Sequence, residues 1–550
     1  MKFSTFSAAG ALLALALSAP LAAQDRAYGD QDARETRGSG RTSVEPYIEV
    51  SQIVFAELEP GDDVVTYTQL AAGVDASIVG RNNGGSVSVR YERNIAWDDD
   101  RVDSDTVTGI ARGYASIIPQ ALTVEAGALA ARSRVDGNGS ATLSPLGESD
   151  TVSQVYSVYA GPQLSGQMGD VKGTANYRIG YTRVESPDAI ILAPGAAPVD
   201  VFDESVTHSA NANLQVAPGD MLPVGVGFGT GIYQEDIANL DQRVRDGYIR
   251  ADVTVPVSPT LAVVAGVGYE DVEVSSRDAL RDATGAAIVD SSGRFVTDDS
   301  APRRIAFQTD GLIWDAGVVW RPSRRTSAEF RIGERYGSTT YYGNFAWAPS
   351  ERSNVNVSVY DNVTALGGQV TNALSALPTE FTAGRNPLTG DITNCVAATG
   401  GSNCLNGALA SVRSSTFRAR GIAASYSTLI GRLSAGVGAG YDRRKFIAAQ
   451  DTVLGAANGL TDENYYLAGY LSGQSGRRAS WTANVYANWF DSGFDLAGDS
   501  FTVGTTAAYT RSLGSSFTAN AALGLDHITS DSLLDDITTA SARIGLRYGF

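Results

Sequence analysis

The chain ends with the nine residues Ala542-Arg543-Ile544-Gly545-Leu546-Arg547-Tyr548-Gly549-Phe550. Apolar or aromatic side chains occupy every second position of this stretch, and arginine or glycine fills the positions between them. A period of two predicts a β-strand with one apolar face and one polar face. In water, a half-apolar strand at the end of a chain promotes aggregation. That face is tolerated when it meets lipid and the strand closes a barrel, so the stretch predicts the last strand of a membrane barrel.

Alternation of the same kind recurs along the chain. It covers residues 70–78, 171–181, 481–489 and 517–525. A tilted strand needs about 9–11 residues to cross the apolar core of a bilayer, and these runs have that length. Strands of soluble β-sandwiches are usually shorter. The runs therefore favour strands that cross a membrane.

The connections between these runs alternate between short and long. The short ones are 80–85, 118–120, 256–259, 321–325 and 514–515, and the long ones are 133–150, 185–204, 272–308, 363–415 and 446–462. Bacterial barrels have short periplasmic turns, long extracellular loops and an even number of strands. The sequence therefore predicts an all-β fold, a transmembrane antiparallel up-and-down β-barrel of about 22 strands with both termini in the periplasm.

The N-terminal region has the features of a secretory signal. Lys2 precedes an apolar run at residues 8–17 that is too short to span a bilayer, and small residues follow it up to Ala23. We predict a cleaved signal peptide at residues 1–23, a polar periplasmic leader at 24–42 and the barrel at 43–550. This organisation predicts a location in the outer membrane of a Gram-negative cell, in contact with membrane lipid and lipopolysaccharide.

The long connection at residues 363–415 differs from the others. Residues 370–377 have helical character and stop at Pro378, and Cys395 and Cys404 follow nine residues apart. In an exported chain such a close pair predicts a disulfide within the loop. Loops of this size without their own sheet are usually functional or disordered. Two alternatives stay open: the segment folds into the pore as a constriction, or it caps the barrel from outside.

A barrel of this size is wide enough to need a plug. No plug domain precedes the first strand, so we expect any plug to come from the loops, chiefly 363–415 and also 272–308. Glycines alternate from Gly225 to Gly231 on the inward face of one strand, where they leave room for a loop or plug.

The polar faces of the predicted strands carry charges of both signs. Opposed rows of arginine and carboxylate create a transverse field that sorts polar solutes in a pore. The alternative is that the charges pair across neighbouring strands and stiffen the wall. The candidate lumen charges are Asp75, Arg90, Glu92, Glu125, Arg178, Arg250, Asp252, Glu329, Arg331, Arg335, Arg543 and Arg547.

The charge balance and the small number of histidines limit the functions that the chain can have. A net charge of −18 argues against nucleic acid as a partner, because nucleic-acid binding requires basic surfaces. The only histidines are His208 and His527, both expected near the extracellular ends of strands. A hydrolase at the barrel rim would need one of them beside a nucleophile, and chance placement is the better interpretation. We predict no enzyme activity, no catalytic residue, no cofactor and no metal site.

Two parts of the sequence resemble known proteins. The ending resembles the C-terminal strand of bacterial outer-membrane barrels, which implies that Phe550, Tyr548, Leu546 and Ile544 are read by the barrel-assembly machinery. Residues 320–327, 335–341 and 359–361 resemble the central strands of an outer-membrane barrel family associated with PEP-CTERM/exosortase and exopolysaccharide gene clusters, of sphingomonad type. This second resemblance covers about the middle third of the chain and implies location and polymer export, with components of polysaccharide export as partners.

These observations lead to one functional prediction with two alternatives. We predict a porin-like channel of the outer membrane for polar solutes or for exopolysaccharide export. The first alternative is a non-conducting surface scaffold or adhesin. The second is the rim-located hydrolase.

Overall fold

The computed structural model describes residues 41–97, 104–134, 152–185, 201–290, 293–397, 403–405, 409, 412–494, 498–531 and 536–550. The predicted signal peptide and residues 24–40 of the predicted leader lie outside the described residues. The first strand begins at Arg41, two residues before the predicted start of the barrel.

Twenty-two long strands form one antiparallel sheet. Their number follows from the repeated period-two runs, since each run makes one strand with an inner and an outer face. The strands are β1 (Arg41–Glu59), β2 (Val64–Val79), β3 (Asn83–Ala96), β4 (Ser104–Ile118), β5 (Leu122–Arg134), β6 (Val152–Met168), β7 (Val171–Glu185), β8 (Glu204–Val216), β9 (Gly225–Ile237), β10 (Gln242–Ser258), β11 (Leu261–Ser276), β12 (Arg304–Ser323), β13 (Thr326–Arg335), β14 (Ser338–Ser350), β15 (Ser353–Thr364), β19 (Thr416–Ile430), β20 (Leu433–Ile447), β21 (Thr461–Gln474), β22 (Ala479–Asp491), β23 (Ser500–Ser512), β24 (Phe517–Ser530) and β25 (Ile537–Gly549).

The sheet closes on itself. The last strand, β25, pairs with the first, β1, from Tyr47↔Gly549 to Glu59↔Thr538, and every other barrel strand pairs with its neighbours in the sequence. Closure removes the free edges that would otherwise expose unpaired backbone groups to lipid. The predicted fold, an antiparallel barrel of 22 strands, is confirmed.

The outer face is apolar and the inner face is polar. In β25, Ile544 is 72% exposed on the outside, whereas the adjacent Arg543 is 6% exposed and points inward. Aromatic side chains add to the outer face, among them Trp97, Trp314, Trp320, Trp347 and Trp489. An apolar band with aromatic side chains around a closed barrel is the form in which strands cross a bacterial outer membrane.

Short connections dominate one end of the barrel and long connections the other. Three connections at the long-connection end are nevertheless short, namely 60–63, 238–241 and 336–337. The segment expected as a long loop at 272–308 is also shorter, because β11 continues to Ser276 and β12 begins at Arg304. Strand ladders that extend past the membrane account for both differences, since polar residues can stay in strand conformation where water replaces lipid.

A small second structure lies between β15 and β19. It consists of helix α1 (Leu366–Ala376) and a three-stranded sheet of β16 (Thr382–Arg385), β17 (Ile392–Ala397) and β18 (Asn403–Cys404). The helix begins four residues before the predicted start at residue 370, and it ends where Leu377 turns extended ahead of Pro378. Two 3-10 turns, Asn239–Asp241 and Val453–Ala457, complete the described elements.

The predicted disulfide falls on this small sheet. Cys395 in β17 and Cys404 in β18 are directly opposite partners in the backbone register. Directly opposite residues of an antiparallel pair lie about 4.5–5.5 Å apart at their Cα atoms, a separation that a disulfide can bridge. The disulfide itself stays a prediction.

Candidate functional site

Residues 365–397, which we call the luminal segment, lie inside the barrel. Helix α1 packs Leu366, Val370 and Leu374 against inward-facing apolar side chains of β5 to β7, among them Leu129, Val155 and Val184, and Ile110 of β4 belongs to the same buried cluster. Side chains of the opposite orientation in the same strands, such as Val124, Val158 and Ile179, are exposed on the outside of the barrel. Of the two alternatives for residues 363–415, the structure therefore places the described part in the lumen.

The N-terminus of α1 is held by a buried carboxylate. Glu235 on β9 is 0% exposed and accepts hydrogen bonds from the backbone amides of Ala365 and Gly368, both at 2.9 Å. The hydroxyls of Ser205 and Tyr233 donate to the same carboxylate at 3.1 and 2.6 Å. A negative charge at this position is stabilised by the unpaired amides and the dipole of the helix. Glu235 therefore fixes where the luminal segment enters the barrel.

Farther along, the luminal segment is bound to β5 and to strands at the closing seam. Arg132 of β5 donates two hydrogen bonds of 2.6 Å to the carboxylate of Asp391. Arg543 of β25 donates to the backbone carbonyl of Pro387 at 2.6 Å. Leu388 lies close to Gly524 of β24, at a distance that a Cβ on this glycine would obstruct. The segment thus runs from β9 to the strands at the closing seam of the barrel.

The segment also reaches deep along β3. Arg385 donates to Thr108 Oγ1 at 2.8 Å and to Ser88 Oγ at 3.1 Å, and burial lowers the pKa of its guanidinium. The backbone amide of Phe381 donates to Ser86 Oγ at 3.0 Å. Ser86 is the fourth residue of β3, which begins at the short-turn end. The luminal segment therefore extends through much of the depth of the barrel.

A network of buried charges surrounds this contact at the closing seam. Glu49 of β1 accepts hydrogen bonds from Arg90 of β3 at 2.7 Å, Arg543 of β25 at 2.5 Å and Asn520 of β24 at 2.9 Å. Arg90 also pairs with Glu92. Buried charges are tolerated only when they are paired and hydrogen-bonded, and here each carboxylate has an arginine partner.

The structure places all twelve candidate lumen charges on the inner wall, where they form ion pairs. The ion-pair partners come from the same strand or from strands one to three positions apart around the barrel. The pairs are Arg90–Glu92 and Arg543–Glu49, Arg547–Asp75, Arg178–Glu125, Arg250–Asp252 and Arg331–Glu329 around Asp315, and Arg335 with Asp246 and Glu270. The arrangement corresponds to the alternative in which paired charges stiffen the wall.

The inner wall of β20 to β23 has a different character. Asp442, Arg444 and Asp462 are buried at its long-connection end. Below them the inward side chains are small or neutral, and Tyr466, Tyr470, Tyr486 and Asn484 are only partly buried. Each tyrosine ring lies directly over a glycine of the neighbouring strand, so that a Cβ there would overlap the ring. The pairs are Tyr470 on Gly436, Tyr466 on Gly440 and Tyr486 on Gly504. Because the three side chains are only partly buried, part of each ring stays accessible.

The inward glycines of β9 do not make room for the luminal segment. A Cβ on Gly229 would meet the side chain of Asn213, and one on Gly231 would meet Asn211 and Tyr248. All three neighbours belong to β8 and β10 of the wall. The expectation that a loop or plug packs here is wrong, because the space is filled by side chains of adjacent strands.

Both histidines face away from the lumen. The Nδ1 atom of His208 lies 2.7 Å from the hydroxyl of Tyr177, a side chain that is 40% exposed on the outside. The Nδ1 atom of His527 lies 2.8 Å from Thr538 Oγ1. The two histidines belong to β8 and β24, which are not adjacent in the barrel.

Several of these contacts are absent from the sequence-based prediction. Glu235, Arg132 and Asp391 have no motif around them, because their partners are 130 to 259 positions away in the chain. One signal was available: residues 127–131 of β5, Gly-Ala-Leu-Ala-Ala, are apolar on both faces. A strand of a polar-lined barrel that is apolar on its inner face indicates where another element docks.

No protein-family model and no curated protein matches the chain. Among solved structures, the FrpB iron transporter from Neisseria meningitidis (F5-1 variant) is 10% identical, with a TM-score of 0.44 over 92% of this chain and 81% of that chain. The ferric-catecholate import receptor Fiu from E. coli K12 is 9% identical, with a TM-score of 0.45 over 92% of this chain and 81% of that chain. The siderophore receptor PiuA from Acinetobacter baumannii is 10% identical, with a TM-score of 0.39 over 92% of this chain and 82% of that chain. Similarity at this level carries no argument about function.

The described residues hold neither a membrane-spanning helix nor a cluster of metal ligands. Among them there is no helix long and apolar enough to span a membrane. Nor do His, Cys, Asp and Glu side chains gather in threes that would suit a metal ion in the described ranges.

Proposed function

We propose that this protein is an outer-membrane channel that its own luminal segment closes. The observation that carries the proposal is the path of residues 365–397 across the lumen, from Glu235 on β9 to Arg543 on β25. A barrel of this strand number encloses a wide interior. A segment that is anchored at two sides of such an interior and belongs to the chain itself is suited to closing a pore.

The anchors favour a segment that can be released. The apolar contacts reach beyond α1 to Ile392, but Arg385, Pro387 and Asp391 are held by hydrogen bonds and ion pairs, such as Arg132 with Asp391. Water and solutes can replace polar contacts of this kind at moderate cost. We therefore propose that the segment moves as a unit while the wall stays intact.

The wall that the segment leaves uncovered suggests polar, uncharged cargo. Lumen charges are paired with one another, so they offer little net field to an ion in transit. The inner face of β20 to β23 presents neutral groups such as Asn484, together with glycine and tyrosine. A second candidate is carbohydrate export, including exopolysaccharide, which the exposed tyrosine faces favour because aromatic rings offer large, rigid contact area to apolar faces of ligands.

Single-channel conductance in planar bilayers tests the proposal. We expect the intact protein to be closed with rare openings, and a variant in which a Gly/Ser linker replaces residues 366–412 to conduct steadily. Heat-dependent migration in gel electrophoresis verifies that both proteins are folded barrels. If the shortened, folded variant is also silent, the channel is refuted and a non-conducting scaffold or adhesin takes its place.

The orientation and assembly follow the same proposal. With long connections outside, both termini lie in the periplasm, and the exposed Phe550 with Tyr548, Leu546 and Ile544 presents the strand that the assembly machinery reads. Replacement of Phe550 by Ala is expected to reduce the amount of folded protein in the outer membrane several-fold. Refolding in detergent without the machinery provides the control, since it does not require recognition of this residue.

A further inference from the structure

Four basic residues form a block on the outside of the barrel at the long-connection end. They lie on β19 and β20, where Arg418 is directly opposite Lys445 and Arg420 is directly opposite Arg443. Like charges at directly opposite positions of a sheet repel each other. The chain carries 60 acidic and only 42 basic residues, so four basic side chains in one block are not expected from its composition.

The block faces outward and sits just above the apolar band. On β19, Arg418 and Arg420 share their face with Ile422 and Tyr426, which are 43% and 39% exposed. On β20, Arg443 and Lys445 share theirs with Val437, which is 45% exposed. The outward face therefore changes from apolar to basic at the same height on both strands. The change falls between Arg420 and Ile422 on β19 and just beyond Tyr441 on β20. In outer-membrane barrels this is the level of the outer-leaflet headgroups.

Only part of this charge is neutralised by the protein. Arg418 and Arg420 share a single carboxylate, Asp361, with hydrogen bonds of 2.7 Å from Arg418 Nε and 3.1 Å from Arg420 Nε. Arg443 lies 3.5 Å from the carboxylate of Glu463. Lys445 is exposed and makes no ion pair within the part of the chain that the structure describes.

Arg418 connects two strands of the wall, whereas the other three basic residues are more exposed. Arg418 also donates to Ser338 Oγ at 2.5 Å, across a part of the wall where the β14–β15 ladder has ended at Gly343↔Val359. The Arg418 side chain is only 13% exposed, so its role is the hydrogen bond to Ser338 within the wall. Arg420 also donates from Nη2 to the Thr339 carbonyl at 2.7 Å, but 25% of its side chain stays exposed. Arg443 keeps 46% of its side chain exposed, and these two arginines and Lys445 present the excess charge to the membrane surface.

We infer that Arg420, Arg443 and Lys445 bind the phosphate of a lipid headgroup in the outer leaflet. Arginine recognises phosphate with two parallel hydrogen bonds and lysine contributes a point charge, so the set matches a phosphate-bearing glycolipid. Arg418 positions this group because it shares Asp361 with Arg420. The bound phosphate offsets the repulsion within the block and fixes a lipid beside the wall.

Lipid binding to the complete protein tests the inference. Native mass spectrometry of the detergent-solubilised barrel is carried out with added bis-phosphorylated lipid A and with the same lipid after removal of its phosphates. We expect saturable binding of the phosphorylated lipid and at least about tenfold weaker binding of the dephosphorylated one, because charge-assisted hydrogen bonds are lost. The Arg443→Gln/Lys445→Gln variant should bind the phosphorylated lipid about tenfold more weakly as well.

A matched variant distinguishes lipid A binding at this site from non-specific attraction of the lipid phosphates to any positive charge. Arg477→Gln/Arg478→Gln removes the same charge from exposed residues at the short-turn end and should leave lipid A binding unchanged. Equal weakening by both variants, or unchanged binding in Arg443→Gln/Lys445→Gln, would overturn the inference. Saturable binding of inorganic phosphate that lipid A does not displace would assign the site to a soluble anion and overturn the lipid source.

Discussion

The inner wall of β3 to β9 and the inner wall of β20 to β23 belong to the same barrel and have the same outer face, but they differ inside. The first is covered by the luminal segment and carries an apolar patch around Leu129 and Val155 next to buried charges such as Glu235. The second carries glycine, Asn484 and partly buried tyrosines. The side chains of the outer face are apolar in both regions because both face the membrane. The side chains of the inner face differ because the two regions contact different things inside the barrel.

This difference gives the two walls separate roles in the proposed channel. The covered wall is built to hold a protein segment, since it offers apolar surface, a helix anchor at Glu235 and an ion-pair partner at Arg132. The wall of β20 to β23 presents glycine, Asn484 and partly buried tyrosines to the lumen below Asp442. Changes to the covered wall should therefore alter opening, and changes to the other should alter what passes.

The largest effect is expected from a covalent lock between α1 and the covered wall. A Cβ on Gly367 would lie 3.3 Å from Ser205 Cβ, close to the separation of about 3.5–4.5 Å in disulfides. The oxidised Ser205→Cys/Gly367→Cys variant should lose all openings in bilayer recordings, and a reductant should restore them. Each single cysteine variant serves as a control. Openings that persist in the fully oxidised protein would show that α1 need not move.

Removal of a fully buried apolar contact of α1 should have the next largest effect. Leu374 is 0% exposed, and truncation of such a leucine to alanine costs about 2–5 kcal/mol in packing. We expect Leu374→Ala to raise the open fraction strongly and to increase hydrogen exchange of the helix amides. Val437→Ala, on the outside of β20, removes apolar surface without touching the segment and should leave both unchanged. A closed, fully protected Leu374→Ala variant would argue against helix release as the opening step.

Glu235→Gln should have an intermediate effect. The carboxylate accepts two backbone amides at the start of α1, and the charged form of such a contact contributes about 1–3 kcal/mol more than a neutral one. The open fraction should therefore rise roughly tenfold or more in conductance traces. Glu329→Gln, which removes a wall carboxylate paired with Arg331, is the matched control. If both variants behave alike, the effect belongs to lumen charge and not to the anchor.

The outer half of this architecture follows from the sequence. Period-two alternation sets which side chains meet lipid, so the terminal strand, the closed barrel and the number of strands are all readable without the structure. The twelve candidate lumen charges lie on the inner wall for the same reason, because a residue's face is fixed by its parity within a strand. Where polar residues extend a strand beyond the membrane, as at Ser276 and Arg304, the pattern weakens and the loop boundary was misplaced.

The site inside the barrel follows from the sequence only in part. The helix near residue 370 and the direct opposition of Cys395 and Cys404 agree with local patterns. The choice between constriction and cap depends on contacts such as Arg132 with Asp391, 259 positions apart, which no local pattern encodes. The role of the β9 glycines was misjudged for the same reason, since their space is filled by Asn213 and Tyr248 of neighbouring strands.

The smallest expected effect lies on the wall that the segment leaves uncovered. Tyr470 lies over Gly436, and its free ring face offers a contact worth about 0.5–1.5 kcal/mol to a flat apolar face such as that of a sugar ring. In the variant that lacks 366–412, Tyr470→Ala should weaken block by a neutral oligosaccharide about two- to tenfold and leave ion conductance nearly unchanged. Tyr426→Ala on the outer face, where the ring is 39% exposed to lipid, should change neither quantity. If the oligosaccharide blocks the shortened variant and its Tyr470→Ala and Tyr426→Ala derivatives equally, the wall of β20 to β23 does not select cargo. Only the covered wall would then have a specific role.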